Sequence, residues 1–102
     1  MRSLPFIAQN DVPAGSDHID NFVLAAGTAK AVIVPTAAVF AVFLATGTFY
    51  ARWGGGAAAV PAADVTDGTG AEVNPTVRSV AGVASLSLIA PAACVVAVAW
   101  YC

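Results

Sequence analysis

Two long runs without a charged residue dominate this sequence. Residues 31–50 and 79–102 contain no Asp, Glu, Lys, Arg or His. A helix of about 20 residues crosses the hydrocarbon core of a bilayer, which is about 30 Å thick, so each run is long enough to span it. Apolar helices buried inside a soluble fold are the alternative, but a short chain has little interior in which to bury two of them. The runs therefore predict two transmembrane helices.

Composition and the residues at the run ends favour the same interpretation. The 102 residues are 59% hydrophobic and only 10% charged, whereas soluble domains carry about 25% charged residues. Lys30 and Arg52 flank the first run, and Arg78 precedes the second. Trp53 follows the end of the first run, and Trp100 lies near the end of the second. Such cations and amphipathic rings suit the headgroup layer of a membrane. The predicted location is an integral membrane protein with two spans.

The predicted fold class is an all-α membrane protein, a two-transmembrane-helix hairpin with an extended N-terminal tail and an acidic loop rich in Gly, Ala and Pro. Its four parts are the tail (1–16), a first helix (17–53, with the transmembrane part 31–50), the polar connecting loop (54–74) and a second transmembrane helix (75–102). Asn74 followed by Pro75 fits a helix N-cap and first helical position. Two Lys or Arg residues lie on each side of the spans, which leaves the orientation in the membrane open.

An Asp, Glu, Lys, Arg or His inside a membrane span usually marks its function, and neither run contains one. A proton-carrying hairpin of a rotary ATPase needs a carboxylate there, and a membrane haem needs axial histidines, so no haem is expected. The only histidine is His18, outside both runs. Cys94 and Cys102 lie eight positions apart on the predicted second helix, too far apart for a disulfide. No nucleophilic triad can be assembled, and the chain is not expected to be an enzyme.

One polar cluster before the first run is a candidate binding site. His18 lies beside Asp17, Asp20 and Asn21, near the predicted membrane surface. His18 and Asn21 are candidate interfacial ligands for a pigment magnesium, and a helix-capping role for His18 is the alternative. Chlorophyll, carotenoid or lipid at the periphery are the cofactors that such a protein would hold.

Small residues at helical spacing predict two packing faces, because they allow the backbones of neighbouring helices to approach closely. The positions are Ala37, Ala41, Ala45 and Thr48 on the first helix and Ala81, Ser85, Ala93 and Ala97 on the second.

These features together predict a non-catalytic accessory subunit of a large energy-transducing membrane complex, photosynthetic or respiratory, that stabilises assembly and bound lipid or pigment. In hydropathy the chain resembles the two-helix peripheral subunits of photosystem I, which implies a thylakoid location. The expected partners are other membrane subunits and the lipid bilayer, and no nucleic acid. The alternative function is a self-assembling small membrane protein, such as a phage holin or a viral membrane component.

Overall fold

Strands make up every regular element of the described chain. The computed structural model describes residues 18–102, which form eight β-strands and no α-helix. The strands are β1 (Ile19–Leu24), β2 (Lys30–Ile33), β3 (Phe40–Ala45), β4 (Tyr50–Trp53), β5 (Glu72–Val73), β6 (Val77–Ser79), β7 (Ser85–Ile89) and β8 (Cys94–Tyr101).

The strands form two four-stranded antiparallel sheets. The first sheet has the order β1-β8-β3-β6 and the second has the order β2-β7-β4-β5, and all neighbouring strands are antiparallel. Consecutive strands alternate between the two sheets, except for β4 and β5, which are neighbours in the second. Eight strands in two sheets with this order are a jelly roll, a sandwich built from two Greek keys.

The predicted all-α hairpin is therefore wrong, and turn residues inside the two runs give the physical reason. The first run, 31–50, is interrupted after Pro35 and again at Gly47, so β3 occupies only its middle. The second run, 79–102, is interrupted at Gly82 and again before β8. Gly82 has a φ of 78°, a left-handed conformation that glycine adopts readily and that ends an extended segment. The segments between turns have the length of strands rather than of membrane helices.

The predicted membrane placement is wrong for the same reason. Across residues 18–102, no helix is long and apolar enough to cross a membrane. This finding overturns the integral, two-span location, with its thylakoid assignment and its transmembrane helices. The predicted N-terminal tail, 1–16, and the proposed start of the first helix at Asp17 lie outside the described residues.

The hydrophobic core lies between the two sheets. Its largest fully buried side chains are Trp100, Phe43, Phe49, Leu24, Leu86, Leu88, Val32, Val80, Val96 and Val98. Burial alternates along β8, where Val96, Val98 and Trp100 are buried while Ala97 and Ala99 are only half-buried. This alternation is the period of two expected of a strand whose one face meets the core.

Polar side chains tie the two sheets together at both open sides of the sandwich. On one side, Arg78 of β6 donates hydrogen bonds to the Glu72 carboxylate of β5, at 2.9–3.0 Å from its Nε. These hydrogen bonds hold the pKa of Glu72 below its usual range. On the other side, Lys30 Nζ of β2 donates to the Val23 carbonyl of β1 at 2.8 Å. A charged group at an edge strand also disfavours pairing with a further strand.

Candidate functional site

The outward face of the first sheet is the most unusual surface of the molecule. Residues that are directly opposite in an antiparallel pair lie on the same face, and the burial pattern of β1, β3 and β8 shows which side faces the core. The outward set, here named the outer apolar face, is Ile19, Asn21 and Val23 on β1, Val95, Ala97, Ala99 and Tyr101 on β8, Phe40, Val42 and Leu44 on β3, and Val77 and Ser79 on β6. Only Asn21 and Ser79 carry an amide or an aliphatic hydroxyl, and no member is charged at neutral pH.

Four of the larger side chains of this face are exposed, whereas Tyr101 is buried and Phe40 and Val42 are half-buried. Leu44 is 71% exposed, Val23 66%, Ile19 55% and Val77 50%. Four strands spaced about 4.8 Å apart and about six residues long, at about 3.3 Å per residue, make a face of about 400 Å². The largest exposed apolar patch on a typical monomer is about 300–600 Å² and is often functional, and the outer apolar face lies in this range. The outer apolar face therefore has the size and composition of a binding surface.

Aromatic stacking shapes one end of this face. The rings of Phe40 and Tyr101 are opposite each other in the register of β3 and β8, and they stack with centroids 4.8 Å apart and planes 8° apart. Such an offset or stacked pair holds both rings in fixed positions. Because Tyr101 is only 7% exposed, this end of the face is a stacked aromatic pair that is largely closed to solvent.

The outward face of the second sheet is covered, in contrast, by the chain itself. The connection between β4 and β5, residues 54–71, folds back over it: Ala58 is buried and its backbone N–H donates to Ser87 Oγ of β7 at 2.9 Å. Arg52 of β4 reaches the same segment, where Nη1 donates to the Ala57 carbonyl at 3.3 Å. Within residues 18–102, the connection between β4 and β5 thus covers the outer face of the second sheet, and no described segment plays the same part on the first.

We expect Ser87→Ala to loosen this covering segment. Removing the acceptor leaves the buried Ala58 N–H without its partner, which costs about 1–2 kcal/mol, so hydrogen exchange at the Ala58 amide should become on the order of tenfold faster. Exchange measured by NMR checks this. Ser85→Ala is the matched control, because Ser85 Oγ donates only a 3.4 Å, exposed hydrogen bond to the Gly54 carbonyl. Unchanged exchange at Ala58 in the Ser87 variant would contradict the anchoring role.

The predicted pigment ligands lie on different sides of β1. His18 Nε2 is 3.5 Å from Asp20 Oδ2, and the same carboxylate oxygen accepts a 2.9 Å hydrogen bond from the buried Trp100 indole. Asn21 belongs to the outer apolar face and points away from Asp20. The pigment site at His18 and Asn21 stays a prediction, but the membrane helix on which it was based does not exist. Asp20 instead supplies the partner that a buried indole N–H requires.

The predicted helix-packing residues do not form two faces, because no helix carries them. Ala41 and Ala45 lie on β3, Ser85 begins β7 and Ala97 lies on β8, while the other four, Ala37, Thr48, Ala81 and Ala93, lie in turns and connections. Ala41 is fully buried opposite Trp100, where a small side chain leaves room for the indole. Ala97 alone belongs to the outer apolar face.

The described part of the chain offers few residues for metal binding or thiol chemistry. Residues 18–102 contain no group of three His, Cys, Asp or Glu side chains placed to hold a metal ion. Cys94 is buried and Cys102 is half-buried, and both thiols are free. The two cysteines lie at opposite ends of the extended β8 rather than on a helix, so eight residues separate them by about 26 Å.

Apart from Asn21 and Ala97, which were predicted for other roles, the residues of the outer apolar face were missed at the sequence level, although a signal for them exists. Short apolar stretches bounded by turn residues indicate strands buried on both faces, and β3 and β8 have this character. Comparison with protein-family models, curated proteins and solved structures gave no match. The geometry of this face is therefore the main indication of what the protein does.

Proposed function

We propose that this protein is a non-catalytic structural subunit of a multi-subunit protein assembly, which it joins by burying the outer apolar face against an uncharged protein surface. The observation that carries the proposal is that β3 and β8 have the composition of strands covered on both sides, whereas among the described residues 18–102 only their inner side packs against another sheet. An apolar face of about 400 Å² exposed to water is unfavourable by about 25 cal/mol per Å² relative to a buried one.

Charge favours a protein surface over an anionic membrane as the partner. Membrane-surface binding draws on clusters of Lys and Arg, whereas the outer apolar face contains neither and the chain has a formal net charge of −2. Of the cations at the sheet edges, Arg78 is paired with Glu72 and Lys30 donates to a backbone carbonyl. The charge of Arg78 is therefore compensated by a carboxylate, and one lysine at the opposite edge is not the basic cluster that binding to anionic headgroups requires.

The fold is compatible with this role, without requiring it. Jelly-roll sandwiches occur in viral capsid domains, in lectins and in cupins, and the same fold serves unrelated functions. A capsid-like use needs subunits that pack through exposed surfaces, and the outer apolar face supplies one. The choice of an assembly role therefore comes from the face and not from the fold.

We expect Leu44→Asp to release the protein from its native assembly. A carboxylate buried in an apolar contact costs several kcal/mol, which weakens association by on the order of 100-fold or more. Native mass in an extract of the source cells, followed with an antibody, checks this: the wild-type chain should migrate well above its 10.1 kDa mass and the variant at the mass of the free chain.

Ile33→Asp is the matched control for this experiment. Ile33 is 75% exposed, close to the 71% of Leu44, but it lies on β2 of the other sheet. The Ile33→Asp substitution introduces the same charge at nearly the same exposure, and we expect it to leave the native mass unchanged. A wild-type chain that migrates as a monomer, or an equal effect of both substitutions, would contradict the proposed function.

A further inference from the structure

The connection between β4 and β5 forms a cleft on the outer side of the second sheet. This connection runs over residues 54–71 with no strand or helix of its own. Most connections in compact domains have about 4–6 residues, and unstructured ones longer than about 15 usually have a function. The cleft, here named the connection cleft, has a volume of about 450 Å³, which is within the range of about 300–1,000 Å³ for small-molecule sites.

Two opposite charges lie in the otherwise largely apolar walls of the connection cleft. Ala59, Pro61 and Val65 contribute apolar surface, and Arg52 and Asp64 contribute the charges. No ion pair within residues 18–102 involves either charged residue, so the two are not paired with each other. Apolar walls with a few polar groups are the usual composition of a site for a small molecule.

Two neighbouring residues hold the Arg52 guanidinium in place. Arg52 is opposite Ser87 in the register of β4 and β7, and its Nη1 donates to the Ala57 carbonyl at 3.3 Å. Gly56 packs so closely on the guanidinium that a Cβ added there would overlap it. A guanidinium has five N–H donors, so the single bond to Ala57 leaves donors for a carboxylate, which arginine binds with two parallel hydrogen bonds.

The charges around the cleft favour a ligand that carries both signs. A simple anion would be repelled by Asp64 and by Asp67, which lies within electrostatic range of Arg52, and a simple cation would be repelled by Arg52. Asp67 already accepts hydrogen bonds from the Thr69 backbone N–H at 3.1 Å and from its hydroxyl at 2.6 Å. Asp64 is therefore the carboxylate that can receive a cationic group of the ligand.

We propose that the connection cleft binds a small amino acid, whose carboxylate lies on the Arg52 guanidinium and whose ammonium group lies on the Asp64 carboxylate. The apolar body of the ligand lies against Pro61 and Val65. This inference goes beyond the proposed function, because the cleft lies on the second sheet and the outer apolar face on the first. Val65 is 49% exposed, so the cleft is open to solvent, and we expect a dissociation constant on the order of millimolar.

NMR titration of the isotope-labelled full-length chain tests this inference. The probes are L-leucine and γ-aminobutyrate, which hold their two charges at different separations. The methyl ester of each probe lacks the carboxylate, and the N-acetyl derivative of each lacks the ammonium group. We expect at least one of the two amino acids to shift the amide signals of Ala59, Asp64 and Thr69 saturably. Its two derivatives should bind on the order of tenfold more weakly, because each loses a hydrogen bond between charged groups.

Gly56→Ala and Gly55→Ala are a matched pair for the role of Arg52. The added methyl group must displace the guanidinium at position 56, whereas a Cβ at position 55 meets no atom within 4 Å. Neither glycine has a left-handed φ, so both variants should keep the fold. We expect Gly56→Ala and Arg52→Gln to weaken binding of the amino acid on the order of tenfold, and Gly55→Ala to leave it unchanged.

The outcomes separate this inference from the proposed function. The absence of a saturable shift with both amino acids overturns the amino-acid site. An Arg52→Gln variant that binds as tightly as the wild type, or equal losses in the two glycine variants, also overturns it. The proposed function is judged by the native mass of the Leu44→Asp variant in cell extract, so either conclusion can fail without the other.

Discussion

Replacing Trp100 by alanine is expected to lower the free energy of unfolding by about 3–5 kcal/mol, the range for a fully buried large aromatic. Trp100 is 0% exposed and is the largest side chain in the core between the sheets. Small domains have a total stability of about 5–15 kcal/mol, so the variant should be close to unfolded at 37 °C. Urea denaturation followed by far-UV circular dichroism measures the change.

Trp100→Phe separates packing from hydrogen bonding at the same position. It keeps most of the buried ring but removes the N–H that Asp20 accepts at 2.9 Å. Since Asp20 is 41% exposed, water can replace this partner, and we expect a loss of only about 1–2 kcal/mol. If Trp100→Ala lowered the free energy of unfolding by less than about 1 kcal/mol, a change closer to that of a surface substitution, Trp100 would not lie in a packed core between the sheets.

Alanine at the adjacent positions 43 and 44 should have very different effects. Phe43 is 1% exposed and packs against Phe49 and Trp53, with ring centroids 6.0 and 5.8 Å away, so Phe43→Ala should cost about 3–5 kcal/mol. Leu44 points to the opposite side of β3 and is 71% exposed. Leu44→Ala should therefore change the stability of the monomer by less than about 0.5 kcal/mol.

Both variants are compared by urea denaturation in dilute protein, because association through the outer apolar face would add a concentration-dependent term at position 44. The contrast tests the strand itself, since neighbouring residues of a strand point to opposite faces. Similar losses at both positions would show that this segment does not have one buried and one exposed face.

Hydropathy misled the sequence-level prediction because the outer apolar face removes the usual sign of a strand. A half-buried strand alternates apolar and polar residues, but β3 reads Phe-Ala-Val-Phe-Leu-Ala and β8 is apolar at every position. Without alternation, each run resembles a membrane helix. Pro35, Gly47 and Gly82 carried the opposite information, because turn residues at short intervals divide a run into strand-length segments. The many valines in these runs also favour strands.

The candidate site could not be assembled from local sequence. Ile19, Leu44 and Val77 lie far apart along the chain, and only the pairing of β1 and β3 with β8, and of β6 with β3, places them on one face. A shift of one residue in any of these pairings would turn the strand's outward side chains toward the core. Ala97 was selected at the sequence level as a packing residue, but the partner surface predicted for it was a helix.

The sequence by itself determined how much apolar surface this protein has and where charge is absent: two runs without Asp, Glu, Lys, Arg or His, which must be covered by something other than water. Only the tertiary structure decided what covers them. Side chains of a strand alternate between two faces, so packing one sheet on the other buries one half of each apolar strand. The β4–β5 connection covers the outside of the second sheet, and no described segment covers the outside of the first. The half that remains exposed is the surface through which the protein is proposed to assemble.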